Sequence, residues 1–426
     1  MQLYLNNIRG FSETIIPFQR VNFLVGENST GKTTVLSILE LLSKPGFLYT
    51  PVFNNKYSQF GGFKEIVNQL SKDRSFFQIG VEFNDSLDND TLFQGHQFRF
   101  LQSFANSSGN PILSGIKFNL GAHMVSCSRI SQKQVTVQVS DVSSSDLSFS
   151  DWIHHDQYSS EFIIEQKSRT RPDIVYLIQM IDASIHSDNN SERLFSVLVP
   201  YVFSGFNAFS PVRAKPHRFY ESFSQPFSRQ GDHIPASLKK LLKSKQTSAK
   251  QKIARLVSFG TDSRLFDGIS LSKYGQDTEG PFSLNVSYGK VMANLANVGY
   301  GVSQVLPLSV GILNSKGTVF SLQQPEVHLH PRAQAAFGEL LYHSAIDDGN
   351  SFFCETHSGY LIDRFRYLVN KSDTGESISQ VLFFERDETG NHITVIPIDR
   401  FGHFPKDMPD AYSSFFIEEE LKMLEF

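Results

Sequence analysis

An α/β fold is predicted by three observations: a strand, glycine turn and helix at the start of the chain, a block of short alternating strands over 75–150, and a return of apolar strands after 280. Residues 1–26 read as two strands, LYLNNI and VNFLV, with a turn at Arg9 and Gly10 between them. A glycine-rich turn covers 26–31, and TTVLSILELL then places its apolar residues at helical spacing. Runs such as FFQIGVEF, QFRFLQSF, IKFNLG and QVTVQVS, separated by Asn, Asp, Ser and Gly, predict an antiparallel β subdomain. From 151 to 265 helical patterns dominate, broken by the Ser/Asn-rich SDNNS and ending in a lysine-rich helix. Strands and helices then alternate: FSLNVSY, a helix through 313, TVFSL, a helix from Pro331, SFFCETHS and an alternating tail. The expected divisions are therefore 1–150, a helical insertion at 151–265, a second lobe at 266–370 and a short C-terminal domain at 371–426. An insertion between two lobes of one sheet is tolerable, because loop closure cost grows slowly with length.

Composition narrows the class. With 426 residues, 40% hydrophobic and 19% charged, the chain is expected to be a globular, cytoplasmic protein of two to three structural units. Lys+Arg 39 against Asp+Glu 43 gives a net charge of -4, which excludes a surface that is wholly a nucleic-acid footprint but leaves room for a local basic patch. Cys127 and Cys354 lie far apart, without the spacing of a disulfide framework or a zinc site. The start, MQLYLNNIRGF, lacks a secretory pattern. The uncharged stretch between Lys290 and Lys316 carries Asn294, Asn297, Gln304, Pro307 and Asn314 and reads as a buried element, so no membrane association is expected.

The strongest motif is Gly26-Glu27-Asn28-Ser29-Thr30-Gly31-Lys32-Thr33, a complete G-x-x-x-x-G-K-[ST] between an apolar strand and a helix, followed by Thr34. Gly26 and Gly31 permit backbone angles that turn amide N–H groups inward on an anion, and the helix N-terminus adds positive partial charge. Lys32 is expected to reach the β/γ-phosphates of ATP and Thr33 to ligate Mg²⁺. Downstream, TVFSLQQPEVHLHP runs a strand into two polar residues, Gln323 and Gln324, where a magnesium-side carboxylate and catalytic base are placed in such ATPases. SFFCETHS ends a second strand in His357, suited to the γ-phosphate or the attacking water, and VGYGVSQVLPL sets Gly299, Gly301 and Ser303 at another helix N-terminus.

In that order, GENSTGKTT, GYGVSQVLPL, LQQPEVHLHP and CETHS resemble the P-loop, signature, Walker B with D-loop, and switch histidine of ABC-type ATPases, and above all the bacterial ATPases related to SMC and OLD proteins. SPVRAKPHRFY and FPKDMPDAYSSFF are similar to pieces of one subgroup with a short C-terminal domain. The resemblance implies a P-loop ABC-type ATPase head and a homodimer, or higher even oligomer, in which ATP is sandwiched between the P-loop of one protomer and the Gly299, Gly301 and Ser303 segment of the other. It further implies a separate effector protein, a nuclease or toxin, in anti-phage defence. A DNA-binding repair or SMC-like ATPase is the alternative. Gln59 in KYSQFGGFKEI is the candidate Q-loop residue near Mg²⁺.

One departure stands out. Where the family carries at least one acid, this chain has Gln323 and Gln324, which bring no charge to Mg²⁺ and accept no proton, so slow hydrolysis is expected. Three readings stay open: a natural ATP-binding switch with weak turnover, service by Glu326, or an engineered Glu-to-Gln change at one of the two positions that traps ATP. Elsewhere, Arg213, Lys215 and Arg218 could meet a phosphate or a nucleic-acid backbone, and Lys239, Lys240, Lys243, Lys245, Lys250, Lys252 and Arg255 form a basic helical run suited to nucleic acid or an acidic partner. His328 and His330 alternate like metal ligands, but their D-loop position reads better as an interface contact. Glu385, Asp387 and Asp399 include no DxD, and too few residues follow His357 for a Toprim nuclease.

Overall fold

The computed structural model describes the chain except residues 45, 48–49, 56–57, 85–96, 121–122, 129, 131–133, 141, 143–145, 166–204, 222–224, 275–279, 373–374 and 417–426. The SDNNS break lies outside the described residues. Two units separate: Met1–Phe18, Glu27–Phe203 and Phe384–Ile393 form the first, and Gln19–Gly26, Ser204–Phe383 and Thr394–Phe426 the second.

In the first unit, alternation dictates an antiparallel sheet. β1 (Gln2–Asn6) lies between β2 (Thr14–Pro17) and β4 (Phe76–Asn84). β5 (Gln97–Ser107), β6 (Asn110–Leu120), β7 (His123–Ser128), β8 (Gln134–Ser140) and β9 (Ser160–Glu165) continue it in chain order. Residues 1–26 thus hold three strands rather than two, because the four-residue β2, too short to announce itself by periodicity, pairs with β1. Along β8 the side chains of Val135, Val137 and Val139 turn inward, as a period of two requires. Glu82 and Arg99 oppose each other across β4 and β5, and their buried side chains pair at 2.8 Å. α1 (Lys32–Leu42) and the single turn α2 (Phe63–Ile66) follow the amino-terminal strands. α3 (Phe149–His154) buries Trp152 with Tyr4, Leu101 and Met124.

The second unit is built on near-continuous apolar strands, the pattern of a sheet covered on both faces. β3 (Val21–Gly26), β10 (Phe206–Phe209), β14 (Val319–Gln323), β15 (Ser351–Glu355), β16 (Ser379–Asp387) and β17 (Gly390–Ile398) form one sheet in the order β10-β14-β15-β3-β16-β17, the Phe384–Ile393 stretch of the last two strands counting with the first unit. The pairs β10 with β14, β14 with β15, and β15 with β3 are parallel. The stretch read as a helical insertion, 151–265, thus holds the strands β9 and β10 beside its helices, and 371–426 adds β16 and β17 to the main sheet. A smaller antiparallel sheet joins β11 (Gly268–Lys273), β12 (Phe282–Tyr288) and β13 (Val291–Asn294).

Among the described residues five α-helices belong to this unit: α4 (Ile234–Lys243), α5 (Thr247–Asp262), α6 (Tyr300–Leu313), α7 (Pro331–Asp347) and α8 (Gly359–Lys371). Their apolar faces share one core with the sheet, including Phe23, Leu322, Phe352, Val305, Phe337 and Phe365. α7 and α8 approach so closely at Gly338 that a Cβ there would stand 2.2 Å from the carbonyl oxygen of Leu361. Among the described residues no helix is long and apolar enough to cross a membrane.

Candidate nucleotide-binding site

The phosphate loop begins at Gly26, the last residue of β3, and ends at Gly31, which caps α1 without any side-chain hydrogen bond. Gly26, Ser29 and Gly31 hold φ values of 137°, 65° and 100°, the left-handed turns that aim successive amides inward. Gly31 is required twice over, because a Cβ would also meet the Phe11 ring at 2.5 Å. Thr30 Oγ1 and Lys32 Nζ both donate to the carbonyl oxygen of Glu27, at 2.8 and 2.5 Å, so the loop closes on itself through its own side chains. Glu27, Asn28, Ser29 and Thr33 are exposed, whereas Lys32 is buried.

This donor set fits a triphosphate: convergent amides at an uncapped helix N-terminus, an ammonium group, and the Thr33 hydroxyl, which would hold the magnesium ion that neutralises phosphate charge when bound. Thr34 needs a correction, since its side chain is buried and accepts a hydrogen bond from Arg9 Nη1 at 3.0 Å. Arg9, read from sequence only as part of a turn, thereby steadies the first turn of α1, with its guanidinium 4.8 Å from the Phe60 ring centre. Gln59 is exposed and forms an isolated bridge with Asn54.

In the second unit, three parallel strands end at one sheet edge. Gln323 of β14 is in register with Glu355 of β15, and Glu355 with Leu24 of β3. Gln324 follows with φ 44°, a left-handed conformation unusual for a side-chain-bearing residue, and its N–H donates to the Glu355 carbonyl oxygen at 2.8 Å. Glu326 Oε1 accepts the His357 backbone N–H at 2.7 Å. Burial raises the Glu326 carboxyl above the ordinary carboxylate range, against the lowering effect of that hydrogen bond and of Arg213. The His357 ring is half-buried and tilted against Phe415.

Arg213 is the principal correction to the expected nucleic-acid contacts. It is 2% exposed, its Nη2 donates to the carbonyl oxygens of Gln323 and Gln324 at 3.0 and 3.4 Å, and its backbone N–H donates to Gln304 Oε1 of α6 at 3.2 Å. It therefore ties α6 to the end of β14 instead of facing solvent. Desolvation pushes its pKa down to about 10, with Glu326 acting in the other direction. Lys215 and Arg218 are exposed.

Ser303 also departs from expectation: it is buried, and its hydroxyl donates to the Tyr300 carbonyl oxygen at 3.0 Å, so it is no exposed contact. Gly299 caps α6, is exposed, and leaves open space where a Cβ would stand. Gly301 is packed, with the His328 carbonyl oxygen 3.0 Å from an added Cβ. His328 and His330 diverge: the first lies beside the Tyr300 ring, and the second caps α7 by accepting from Ala333 N–H. In the basic run, Lys239 is buried with its ammonium 4.9 Å from the Phe282 ring centre, which removes it from the expected face. Lys240, Lys243, Lys245 and Lys250 are exposed, while Lys252 donates to Asn314 and Arg255 pairs with Asp348.

The family model described as "AAA domain, putative AbiEii toxin, Type IV TA system" matches residues 21–363, a span running from β3 through the phosphate loop, Gln323 and His357. The chain belongs to this AAA family. Its α/β fold is thus that of an AAA-family ATPase domain, with the phosphate loop after β3 and the Gln323–Gln324 pair after β14. No curated protein matches the sequence. Among solved structures it is similar to an SMC head bound to the C-winged helix domain of ScpA, at 9% identity and TM-score 0.47, with 93% of this chain and 97% of that one covered. An Smc head domain with an extended coiled coil, bound to the C-terminal domain of ScpA derived from Pyrococcus furiosus, gives 10% identity, TM-score 0.46 and coverage of 100% and 98%. The SMC head domain from Thermotoga maritima gives 10%, 0.37, 93% and 98%.

Proposed function

We infer that this AAA-family ATPase binds and hydrolyses ATP as an ABC-type dimeric switch. In this reading a second copy closes head-to-tail on the nucleotide, forming a homodimer or higher even oligomer, and hydrolysis releases it. The observation that carries the reading is the open N-terminus of α6. Gly299 offers no side chain to satisfy the first amides of the helix, and the exposed Tyr300 stands next to His328 of the D-loop segment. A helix end of this kind favours an anion, and the phosphate loop of another copy would bring one. The output is a separate effector protein, a nuclease or toxin, in bacterial antiviral defence. The family description, which names a toxin of a toxin–antitoxin system, supports that context.

The test uses Gly299→Asp. Gly299 has φ -62° and ψ 156°, which aspartate adopts without strain, and aspartate is a good helix cap. The variant keeps or raises the melting temperature but places a carboxylate where the triphosphate of the other copy would dock. ATP with Mg²⁺ should double the solution mass of the wild type, by light scattering, and leave the variant at its nucleotide-free mass. Equal assembly of the two proteins would refute the sandwich.

Direct DNA binding is favoured by one observation, the exposed lysines 240, 243, 245 and 250 on α4, α5 and the turn between them. Its signature is an affinity that falls steeply with salt and is lost when those four are neutralised.

A further inference from the structure

Gly10 and the loop residue Gly31 share a neighbour from far along the chain. Asn391, the second residue of β17, is buried, and its backbone N–H donates to the Gly10 carbonyl oxygen at 2.7 Å. Its carboxamide lies face-on over Gly10, where an added Cβ would stand 2.4, 2.4 and 2.6 Å from Cγ, Nδ2 and Oδ1. The same group reaches the phosphate loop, since a Cβ on Gly31 would stand 2.7 Å from Asn391 Nδ2. Two bare backbones leave room for a flat side chain and little else. Asn391 Oδ1 is buried and meets no donor among the described residues, so a side-chain bond through that oxygen does not hold the group in place. The hairpin does. Asp387 Oδ1 accepts the N–H groups of Thr389 and Gly390 at 2.7 and 3.2 Å and shapes the turn between β16 and β17. Gly390, with φ 139°, then comes so near that a Cβ would stand 2.6 Å from the Gly10 carbonyl oxygen. All these residues, together with 27–34 of the loop, belong to the first unit, and the hairpin lies beyond residue 363, where the family match ends.

We propose that Asn391 is a positioning residue of the nucleotide site, supplied to the phosphate loop by the carboxy-terminal hairpin. This rests on the ATP-binding reading above and needs only the loop itself. The carboxamide buttresses Gly31 in its left-handed conformation, together with the Phe11 ring. Of its two polar atoms, Nδ2 is the nearer to Gly31, so the positive end of the amide dipole is turned toward the segment that receives a triphosphate. A dipole fixed by the fold before the anion arrives costs no reorganisation on binding. Asn391 acts through Gly31 and takes no part in the chemistry at phosphorus.

The experiment measures ATP and ADP affinity by calorimetry in the full chain. Asn391→Asp keeps the flat shape but puts a negative charge where the positive end of the dipole stood. ATP affinity should fall about 10-fold or more, and ADP, which carries less charge, should lose less, while the melting temperature stays close to wild type. Asn391→Ala removes the group without adding charge, and its ATP affinity should fall by the smaller factor of about threefold. An aspartate variant that binds ATP within about threefold of wild type would overturn the proposal. Equal losses for ATP and ADP would overturn it too, because they mark a distorted loop and not a misplaced charge. If the aspartate variant does not fold, the alanine variant decides: weaker ATP binding at an unchanged melting temperature supports the proposal, and unchanged binding overturns it. A wild type that binds no ATP removes the ATP-binding reading as well; one that binds ATP as tightly as both variants removes the proposal alone.

Discussion

The phosphate loop and the end of β14 are held in different ways. In the loop, Glu27, Thr30 and Lys32 satisfy one another within six residues of chain, and glycines supply the angles. At the end of β14, the Gln323 and Gln324 carbonyl oxygens are held by Arg213, 110 and 111 positions away, and Glu326 reaches the His357 backbone 31 positions on. The first is a local motif that can keep its form while the chain around it varies. The second is a tertiary construction, in which one buried cation and one buried carboxylate each hold backbone groups from a distant part of the chain.

The largest expected effect breaks the second region. Arg213→Met removes the donor to two carbonyl oxygens at the end of β14 and leaves them unpaired in the interior, so unfolding free energy should fall by about 1–3 kcal/mol. Urea unfolding measures it, and a loss below about 1 kcal/mol would mean that Arg213 does not hold β14. Next in size, Lys32→Ala should leave the urea midpoint nearly unchanged but weaken ATP binding about 10- to 100-fold, the worth of a charged hydrogen bond, as read by calorimetry. Loss of stability in place of binding would erase the contrast between the regions.

The smallest effect sharpens it. Because burial raises the Glu326 pKa in the folded chain, the folded state holds that proton to higher pH than the unfolded state does. Stability should therefore decline as pH rises from the ordinary carboxylate range through the raised value, and Glu326→Gln should flatten that part of the profile. An unchanged slope in the variant would show that Glu326 ionises normally.

Legibility in the sequence followed the same division. The eight-residue loop motif and α1 could be read directly, because residues adjacent in sequence make the site and the helical period follows at once. The apolar strands β3, β14 and β15 could be read as well, since burial on both faces leaves unbroken hydrophobic runs. Ser303, Thr34 and Lys239 could not: each has a side chain suited to phosphate, but packing turned the first two toward internal hydrogen bonds and the third onto a ring. Arg213 looked like a basic loop residue because nothing in its own neighbourhood names the carbonyl oxygens it meets.

What the sequence determined by itself is the chemistry that lies within one turn of chain: a phosphate-binding loop, a helix begun by Gly299, and amides where acids are usual. What only the tertiary structure decided is which strand ends stand side by side. Strand order is fixed by burial of both sheet faces and not by sequence separation, and so Glu355, two residues before His357 in CETHS, comes to stand in register with Gln323.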